Sequence, residues 1–338
     1  MNSELHSTTF ITSAGRWATE MMMRHGVSPQ ALKPCVEAKN PQVRANALLT
    51  RDSWEDFDRQ VNDAAQERLA AVADLYALGL IRDIPNAMGR TILTYEKLTD
   101  MTPAEYSMDP AARTITSRRE YTPVQLPFPV THKDFDIGIR EIRAHQDRGE
   151  PLDDSHIRNA GRMVAEGLED LLLVGGPTFG GLPIYGYTTH PDRNTEAFGT
   201  NGAWSAAAKT GENILADVIQ MITRLEADKY FGPYRLYISG AYSAKLGSDF
   251  KINSDKTIIQ RLREIDSIGG IRYCDRLSAA VLLVQGTSDV VQWADGESIQ
   301  TIMWDLEGGM KVAFKCMAMQ IPIVKSDANG NSGICHMS

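Results

Sequence analysis

Residues 120–142 read EYTPVQLPFPVTHKDFDIGIREI, an apolar, extended-looking run that holds Pro127 and Pro129 two residues apart. This run limits the architecture more than any other. Proline fixes φ and lacks the amide hydrogen a ladder needs, so such a strand belongs at a sheet edge or on a projecting arm and not in a sheet centre. The chain then turns, without a glycine, into a charged helical segment. An arm of this kind has to lie against something.

Upstream, ILTYEKL and RTITSRREYTPVQL are rich in Thr, Ile and Tyr, and the polar stretch TDMTPAEYSMDPAA lies between them. Residues 86–130 therefore predict a long two-stranded excursion with almost no large apolar cluster of its own. A lone hairpin is marginal in water, so another surface must stabilise it, most economically that of a neighbouring subunit.

The rest of the chain is easier to place. Residues 1–50, with Pro29, Pro34 and Pro41, read as an extended N-terminal arm. Trp54, Phe57, Val61, Ala65, Leu69, Val72 and Tyr76 recur at helical spacing and predict a helix from Ser53 to Leu78 that Gly79 ends. The strongest helix spans 153–174, with Ile157, Ala160, Met163, Val164, Leu168, Leu171 and Leu172 in one stripe. GGPTFGGLPIYGY follows as a glycine-rich loop. A second amphipathic helix covers 210–227 and a strand 234–240, with helices at 241–248 and 256–265. Short strands are expected around 271–274, 280–285, 289–293, 299–305 and 310–324, the last with Met310, Val312, Phe314 and Cys316 on one face. The Gly/Asn/Ser-rich tail from Lys325 reads as loose. This order is α+β, without the regular βαβ alternation of a nucleotide-binding or barrel fold.

Of 338 residues, 43% are hydrophobic and 23% charged, which excludes disorder as the default state. A net charge of -8 argues against a broad basic face that coats nucleic acid. There is no apolar run long enough to span a membrane and no secretory signal at the N-terminus. Cys35, Cys274, Cys316 and Cys335 lack CxxC spacing and read as reduced thiols. The histidines show no paired ligand spacing, so no metal site is expected. GGPTFGG at 175–181 lacks the Lys-Ser/Thr of a phosphate cradle and follows a helix instead of a strand. SGAYSAKLG at 239–247 departs from G-x-S-x-G and reads as a strand-to-helix turn. Glu166, Glu169 and Asp170 flank an apolar stripe as a solvated or subunit-facing edge. No catalytic residue and no cofactor site emerges.

The order of these elements resembles the Hong Kong 97-type capsid fold, in particular the encapsulin (linocin-like) and related tailed-phage major capsid group. The residues that carry the resemblance are the long hairpin, the return strand LPFPVTHKDFDI running into Phe135-Asp136-Ile137-Gly138-Ile139-Arg140-Glu141-Ile142, and the stripe helix closing with GLEDLLLVGG before Gly181-Leu182-Pro183. The helix starting near Trp54 also fits. The likeness covers roughly residues 50–324. It implies an N-terminal arm (1–50), an N-terminal helix (51–85), an extended loop (86–130) and a peripheral domain (131–204) whose spine is helix 153–174. An axial domain (205–300), then a return strand and tail (301–338), complete the subunit.

The implied function is a major capsid protein that assembles in the bacterial cytoplasm as hexamers and pentamers of an icosahedral virion shell. Scaffolding, portal and decoration proteins are its further partners, and DNA is enclosed without sequence-specific binding. Glu96, Lys97, Asp100, Glu105 and Asp109 towards the hairpin tip, with Arg118, Arg119 and Glu120 on the return strand, are the candidates for ion pairs between subunits. Two alternatives stand beside this reading. One is an encapsulin-type compartment enclosing a cargo enzyme, which the long proline-rich arm and the chain length disfavour. The other is an α/β enzyme using the glycine-rich loop at 175–181.

Overall fold

The structure, a computed structural model, describes residues 69–98, 104, 106, 108–109, 121–148, 155–251, 255–327 and 329–338. The expected arm at 1–50 and the first part of the helix at 53–78 lie outside this set. The described chain begins with α1 (Ala71–Ala77), β1 (Ile81–Asp83) and β2 (Ile92–Leu98). β3 (Tyr121–Pro127), β4 (Thr131–Gly138), α2 (Ile139–Arg148) and α3 (Ser155–Leu173) follow. Then come β5 (Gly175–Phe179), β6 (Leu182–Tyr185), β7 (Asn194–Glu196), α4 (Gly211–Ala227) and β8 (Tyr234–Ser239). The last elements are α5 (Ser243–Leu246), α6 (Ile258–Arg263), β9 (Ile268–Cys274), β10 (Val281–Gln285), β11 (Val291–Leu306), β12 (Lys311–Val324) and β13 (Ile334–Met337).

Two compact units share the chain. The larger takes Asp56–Phe135, Asp153–Ile302 and Phe314–Ser338. The described part of the smaller comes from Asp136–Leu152 and Met303–Ala313. In the smaller unit, the Ile139 amide donates to the Met310 carbonyl at 2.9 Å. Lys311 there reaches Glu307 at 3.3 Å and Asp136 at 3.8 Å.

In the larger unit, α3 is the longest described helix at 19 residues, about 28 Å. Ile157, Ala160, Val164, Leu168, Leu171 and Leu172 are buried along it as their spacing requires, while Met163, read as part of the stripe, is exposed. A five-stranded sheet has the order β7-β13-β10-β8-β9. α4 covers one of its faces, presenting Ile214, Val218, Met221 and Leu225 to Leu236, Ile238, Val281, Leu283, Cys335 and Met337. Thr210 caps α4 by accepting from the Asn213 amide, which satisfies a first-turn donor that otherwise has no partner.

The tail expectation is overturned here. β13 lies between β7, to which it runs parallel, and β10, to which it runs antiparallel. Ile334, Cys335 and Met337 have no exposed surface. A strand from the end of the chain thus completes the sheet built by residues 194–285, and the 301–338 segment is not simply a return strand with a tail.

Another sheet has the order β1-β11-β12-β4. The two strands expected at 289–293 and 299–305 are one strand, β11, 16 residues long. Asp295-Gly296-Glu297 looks like a turn but is not one. A Cβ at Gly296 would lie 2.4 Å from that of Ala87 and 2.8 Å from the Phe128 ring, so glycine is there for close approach within a strand. β12 departs from simple alternation, since from Cys316 to Val324 both faces are buried. Near its start, Phe314 stacks on Phe135 of β4 with ring centroids 5.1 Å apart. Met310, expected on the apolar face, is 64% exposed.

Candidate functional site

The hairpin expected from the prolines is present. β2 and β3 pair antiparallel from Ile92↔Pro127 to Leu98↔Tyr121, in a sheet of two strands only. In such a ribbon, alternate N–H groups of each strand point away from the partner. Pro123 and Pro127 are four residues apart and share a phase, so both fit without breaking the register.

The ribbon is two-faced. Ile92, Thr94 and Glu96 are exposed, whereas Leu93 is buried and Tyr95 and Lys97 are half-buried. Leu93, Leu126 and Phe128 join Ile84, Leu171, Ile184, Met319, Ile321 and Ile323 in one apolar cluster. The Phe128 amide donates to the Thr91 carbonyl at 2.8 Å, closing the base of the ribbon. The hairpin root is therefore held by its own chain. The sequence offered few large apolar residues for this, but those few are placed where they count.

Polar contacts extend the anchorage. The Tyr95 hydroxyl donates to the Val324 carbonyl at 3.2 Å. The Lys97 ammonium donates to Asp192 Oδ2 at 3.0 Å and to Ser326 Oγ at 2.6 Å, and Ser326 Oγ donates to the same Asp192 oxygen at 2.5 Å. Burial works to raise the Asp192 carboxyl, but the hydrogen bonds from Ser326 and Lys97 outweigh it and hold the group below its ordinary value. Beside it, burial pushes His190 down to about 4, with Lys97 and Arg193 adding to the effect and Asp192 opposing it. His190 is thus neutral at neutral pH, and its Nδ1 accepts the Asp192 amide at 3.2 Å. A cavity of about 230 Å³ lies against this root, lined by Tyr95, Leu126, Pro183, Tyr185, His190 and Pro322 among others.

Of the candidate contact residues, Lys97 is committed to Asp192 and Ser326 of its own chain. Glu96 faces solvent opposite Pro123, and Asp109, between the two strands in sequence, is exposed. Asp100, Glu105, Arg118, Arg119 and Glu120 lie outside the described residues. Tyr106 and Met108, not singled out from sequence, are 101% and 104% exposed. Large side chains so exposed gain no burial among the described residues. The period-two pattern Leu93, Tyr95, Lys97 was the available signal for the inward face. Asp192 and Ser326 carried none, since their partner is 95 and 229 residues away.

The other motifs resolve into structure. GGPTFGG is paired as the β5–β6 hairpin, with Gly180 and Gly181 at φ +59° and +83° forming its two-residue turn. SGAYSAKLG is a strand-to-helix turn from β8 into α5. Glu169 corrects the reading of the acidic trio as a solvated edge, because it is 2% exposed. Its carboxylate accepts the Ala71 and Val72 amides at 2.7 and 3.2 Å, capping α1 where Ala70 has no side chain to do so. Asp170 accepts from Arg276 Nε at 2.6 Å, and Glu166 lies 3.8 Å from Arg162 and 4.0 Å from Arg276. Cys274, Cys316 and Cys335 are buried thiols. Among the described residues, no group of three His, Cys, Asp or Glu could hold a metal, and no helix is long and apolar enough to cross a membrane.

In three dimensions the chain is similar to the virus-like particle from Pyrococcus furiosus, with 18% identity and a TM-score of 0.60, covering 84% of this chain and 99% of that one. It is similar to the capsid of Myoviridae phage XM1 at 12% identity and a TM-score of 0.59, covering 78% and 90% of the two chains. The capsid of an empty GTA particle gives 11%, 0.55, 77% and 87% in the same order. No curated protein matches the chain in sequence. With the anchored two-stranded hairpin and the long helix α3, the architecture is the Hong Kong 97-type capsid fold. The chain belongs to the family described as "Family of unknown function (DUF6260)", whose model matches residues 44–337.

Proposed function

We propose that this chain is a structural shell subunit, the major capsid protein of a tailed bacteriophage, and not an enzyme. Many copies associate as hexamers and pentamers of a closed icosahedral shell around the phage genome. The observation that carries the reading is the hairpin: its root is packed and hydrogen-bonded into its own subunit, while Tyr106 and Met108 towards its tip stand wholly in water. A rigidly based arm with uncovered apolar side chains suits a contact made on the next copy, repeated around a symmetric assembly. The capsid structures that share its fold support the same conclusion.

In this reading the hairpin is the extended loop, α3 is the spine of the peripheral domain, and the five-stranded sheet under α4 belongs to the axial domain, which includes β13. Glu96, Asp100, Glu105, Asp109, Arg118, Arg119 and Glu120 provide the charged contacts between copies, and Lys97 fixes the arm's root. Exposed pairs of this sort contribute about 0.2–1 kcal/mol each, which suits reversible, error-correcting assembly. Scaffolding, portal and decoration proteins are the further partners. The DNA is enclosed without sequence-specific binding, and a subunit of net charge -8 suits a wall that must not bind it tightly. The virion is the site of residence and the host cytoplasm that of assembly.

One observation favours a second reading, an encapsulin-type compartment: the virus-like particle from Pyrococcus furiosus is matched over 99% of its chain. Electron microscopy of the expressed protein tests both, with nuclease-treated particles assayed for protected nucleic acid. Closed polyhedral shells are expected, and protected DNA in particles from infected cells separates virion from compartment. Small oligomers under every salt condition, with scaffold supplied, would refute the shell reading.

A further inference from the structure

The chain holds the pairs Asn201-Gly202 and Asn329-Gly330. In an Asn-Gly pair the glycine nitrogen can reach the side-chain carbonyl carbon before it with little hindrance, because glycine has no Cβ to shield it. Whether that approach occurs in the folded chain depends on how firmly the asparagine side chain and the glycine amide are held. The fold treats the two pairs in opposite ways. Asn201, at φ +70°, donates through Nδ2 to the Ala208 carbonyl at 2.9 Å, and the Gly202 amide donates to the Gly199 carbonyl at 3.1 Å. The turn around them is pinned to a buried ion pair: Lys209 donates to the Thr200 carbonyl at 2.9 Å, and Asp217 Oδ1 accepts the Gly199 amide at 3.2 Å.

At Asn329 the hold is slight. Asn329 and Gly330 are both exposed, and the Asn329 side chain makes no hydrogen bond among the described residues. The Gly330 amide has one long bond, at 3.3 Å to the Asp327 carbonyl. On either side of the pair, however, the loop is closed. The Asn331 amide donates to Asp327 Oδ1 at 2.7 Å, the Asp327 amide donates to the Asn331 carbonyl at 2.9 Å, and the Tyr230 hydroxyl donates to that carbonyl at 3.1 Å. A loosely held pair thus sits inside a firmly closed loop that leads into β13.

We propose that Asn329 is a site of spontaneous deamidation in the folded subunit, from which Asn201 is protected. The Gly330 nitrogen gives its proton to water and attacks Asn329 Cγ. A bond from that nitrogen to Cγ forms, closing a succinimide ring, and the Cγ–Nδ2 bond breaks. Water supplies the proton with which Nδ2 leaves as ammonia. A second water then opens the ring at either carbonyl, leaving aspartate or isoaspartate; no oxidant, metal or other co-reactant is needed. The product adds a negative charge beside Asp327 and close to Asp192, whose Oδ1 would lie 3.8 Å from a Cβ at Gly330. Because the loop is closed by Asp327 and Asn331, the change stays within it and leaves β13 in its sheet. This inference concerns the subunit and does not depend on the shell reading.

Ageing the full-length chain in mildly alkaline buffer tests it, with samples digested by trypsin and read by mass spectrometry. Cleavage after Arg193, Lys209 and Lys325 places the two pairs on separate peptides, 194–209 and 326–338. A gain of one mass unit should appear at Asn329 at least about tenfold faster than at Asn201, which must first give up the bonds that hold Nδ2 and the Gly202 amide. Isoaspartyl methyltransferase should label the same 326–338 peptide. In urea the two sites should react at similar rates. Equal rates in the folded chain, or no gain at Asn329, overturns the proposal, and a difference that persists in urea would assign the selectivity to sequence context and not to the fold. The converted chain should keep its circular dichroism spectrum and urea midpoint; loss of either overturns the confinement of the change to the loop.

Discussion

Ending the chain after Ser332 would remove β13 and nothing else with regular structure. The strand lies between two others, with register pairs Val281↔Met337, Leu283↔Cys335 and Val284↔Ile334 on one side and Cys335↔Asn194 and Met337↔Glu196 on the other. Ile334, Cys335 and Met337 are each fully buried. Burying three such side chains contributes roughly 4–8 kcal/mol. The loss also uncovers Val281, Leu283 and the apolar face of α4 and leaves ladder groups of β7 and β10 unpaired. Domain stabilities are typically about 5–15 kcal/mol, so the truncated chain should be unfolded or aggregated at ordinary temperature. Met337→Ala, a milder form of the same test, should cost about 2–4 kcal/mol. Urea titration followed by circular dichroism, with size-exclusion chromatography, measures both. A truncated chain that is soluble and whose midpoint lies within about 0.5 kcal/mol of the intact protein would falsify the interior placement of this strand.

Gly175→Ala should lower the urea midpoint by about 2–4 kcal/mol, because φ is +100° and the new Cβ would lie 2.5 Å from the Ile184 carbonyl oxygen. Gly180→Ala, at φ +59° with nothing within 4 Å, should cost only about 1 kcal/mol; equal effects would mean that crowding plays no part. Lys209, 1% exposed, pairs with Asp217 at 2.7 Å, and Asp217 Oδ2 also accepts from Trp204 Nε1 at 2.8 Å. Removing either charge alone should cost about 3–5 kcal/mol, while the double variant Lys209→Met/Asp217→Leu should recover part of that; strictly additive losses would show that the pair is not coupled. His190 has its value lowered to about 4, so its contribution is complete above the ordinary histidine value and is lost as pH falls towards 4. Wild-type thermal stability should drop by about 2–4 kcal/mol over that interval, and a His190→Gln variant with an equally steep profile would assign the drop to other groups.

The two long helices were legible because their partners do not need to be known, although the stripe read for 210–227 (Leu215, Val218, Ile219, Ile222 and Leu225) is partly misplaced: Ile219 is 50% exposed, while Ile214 and Met221 are fully buried. The hairpin was legible from what proline cannot do. β13 was not, because ICHM is four residues long, follows a Gly/Asn/Ser run, and owes its strand state to β7 and β10, which lie far away in sequence. β11 was expected as two strands, and Gly296 between them has the same letter in a turn and at a tight crossing; its close approach to Ala87 and the Phe128 ring tells them apart. At the site, the outward charges were nameable as residue types. The inward ones were not, since Asp192, Ser326 and Glu169 are polar residues whose meaning rests on distant contacts.

The register of the ribbon is set at Leu93↔Leu126 and its neighbours, where side chains enter the body of the subunit. Insertions or deletions between Leu98 and Tyr121 fall beyond the last described pair of the ribbon and should leave this register and the core intact. A single residue added between Leu93 and Lys97 would instead turn every later side chain to the opposite face. The foundation can thus stay fixed while the sequence between the two strands changes, so subunits of this kind could be refitted to different neighbours by editing one stretch of chain.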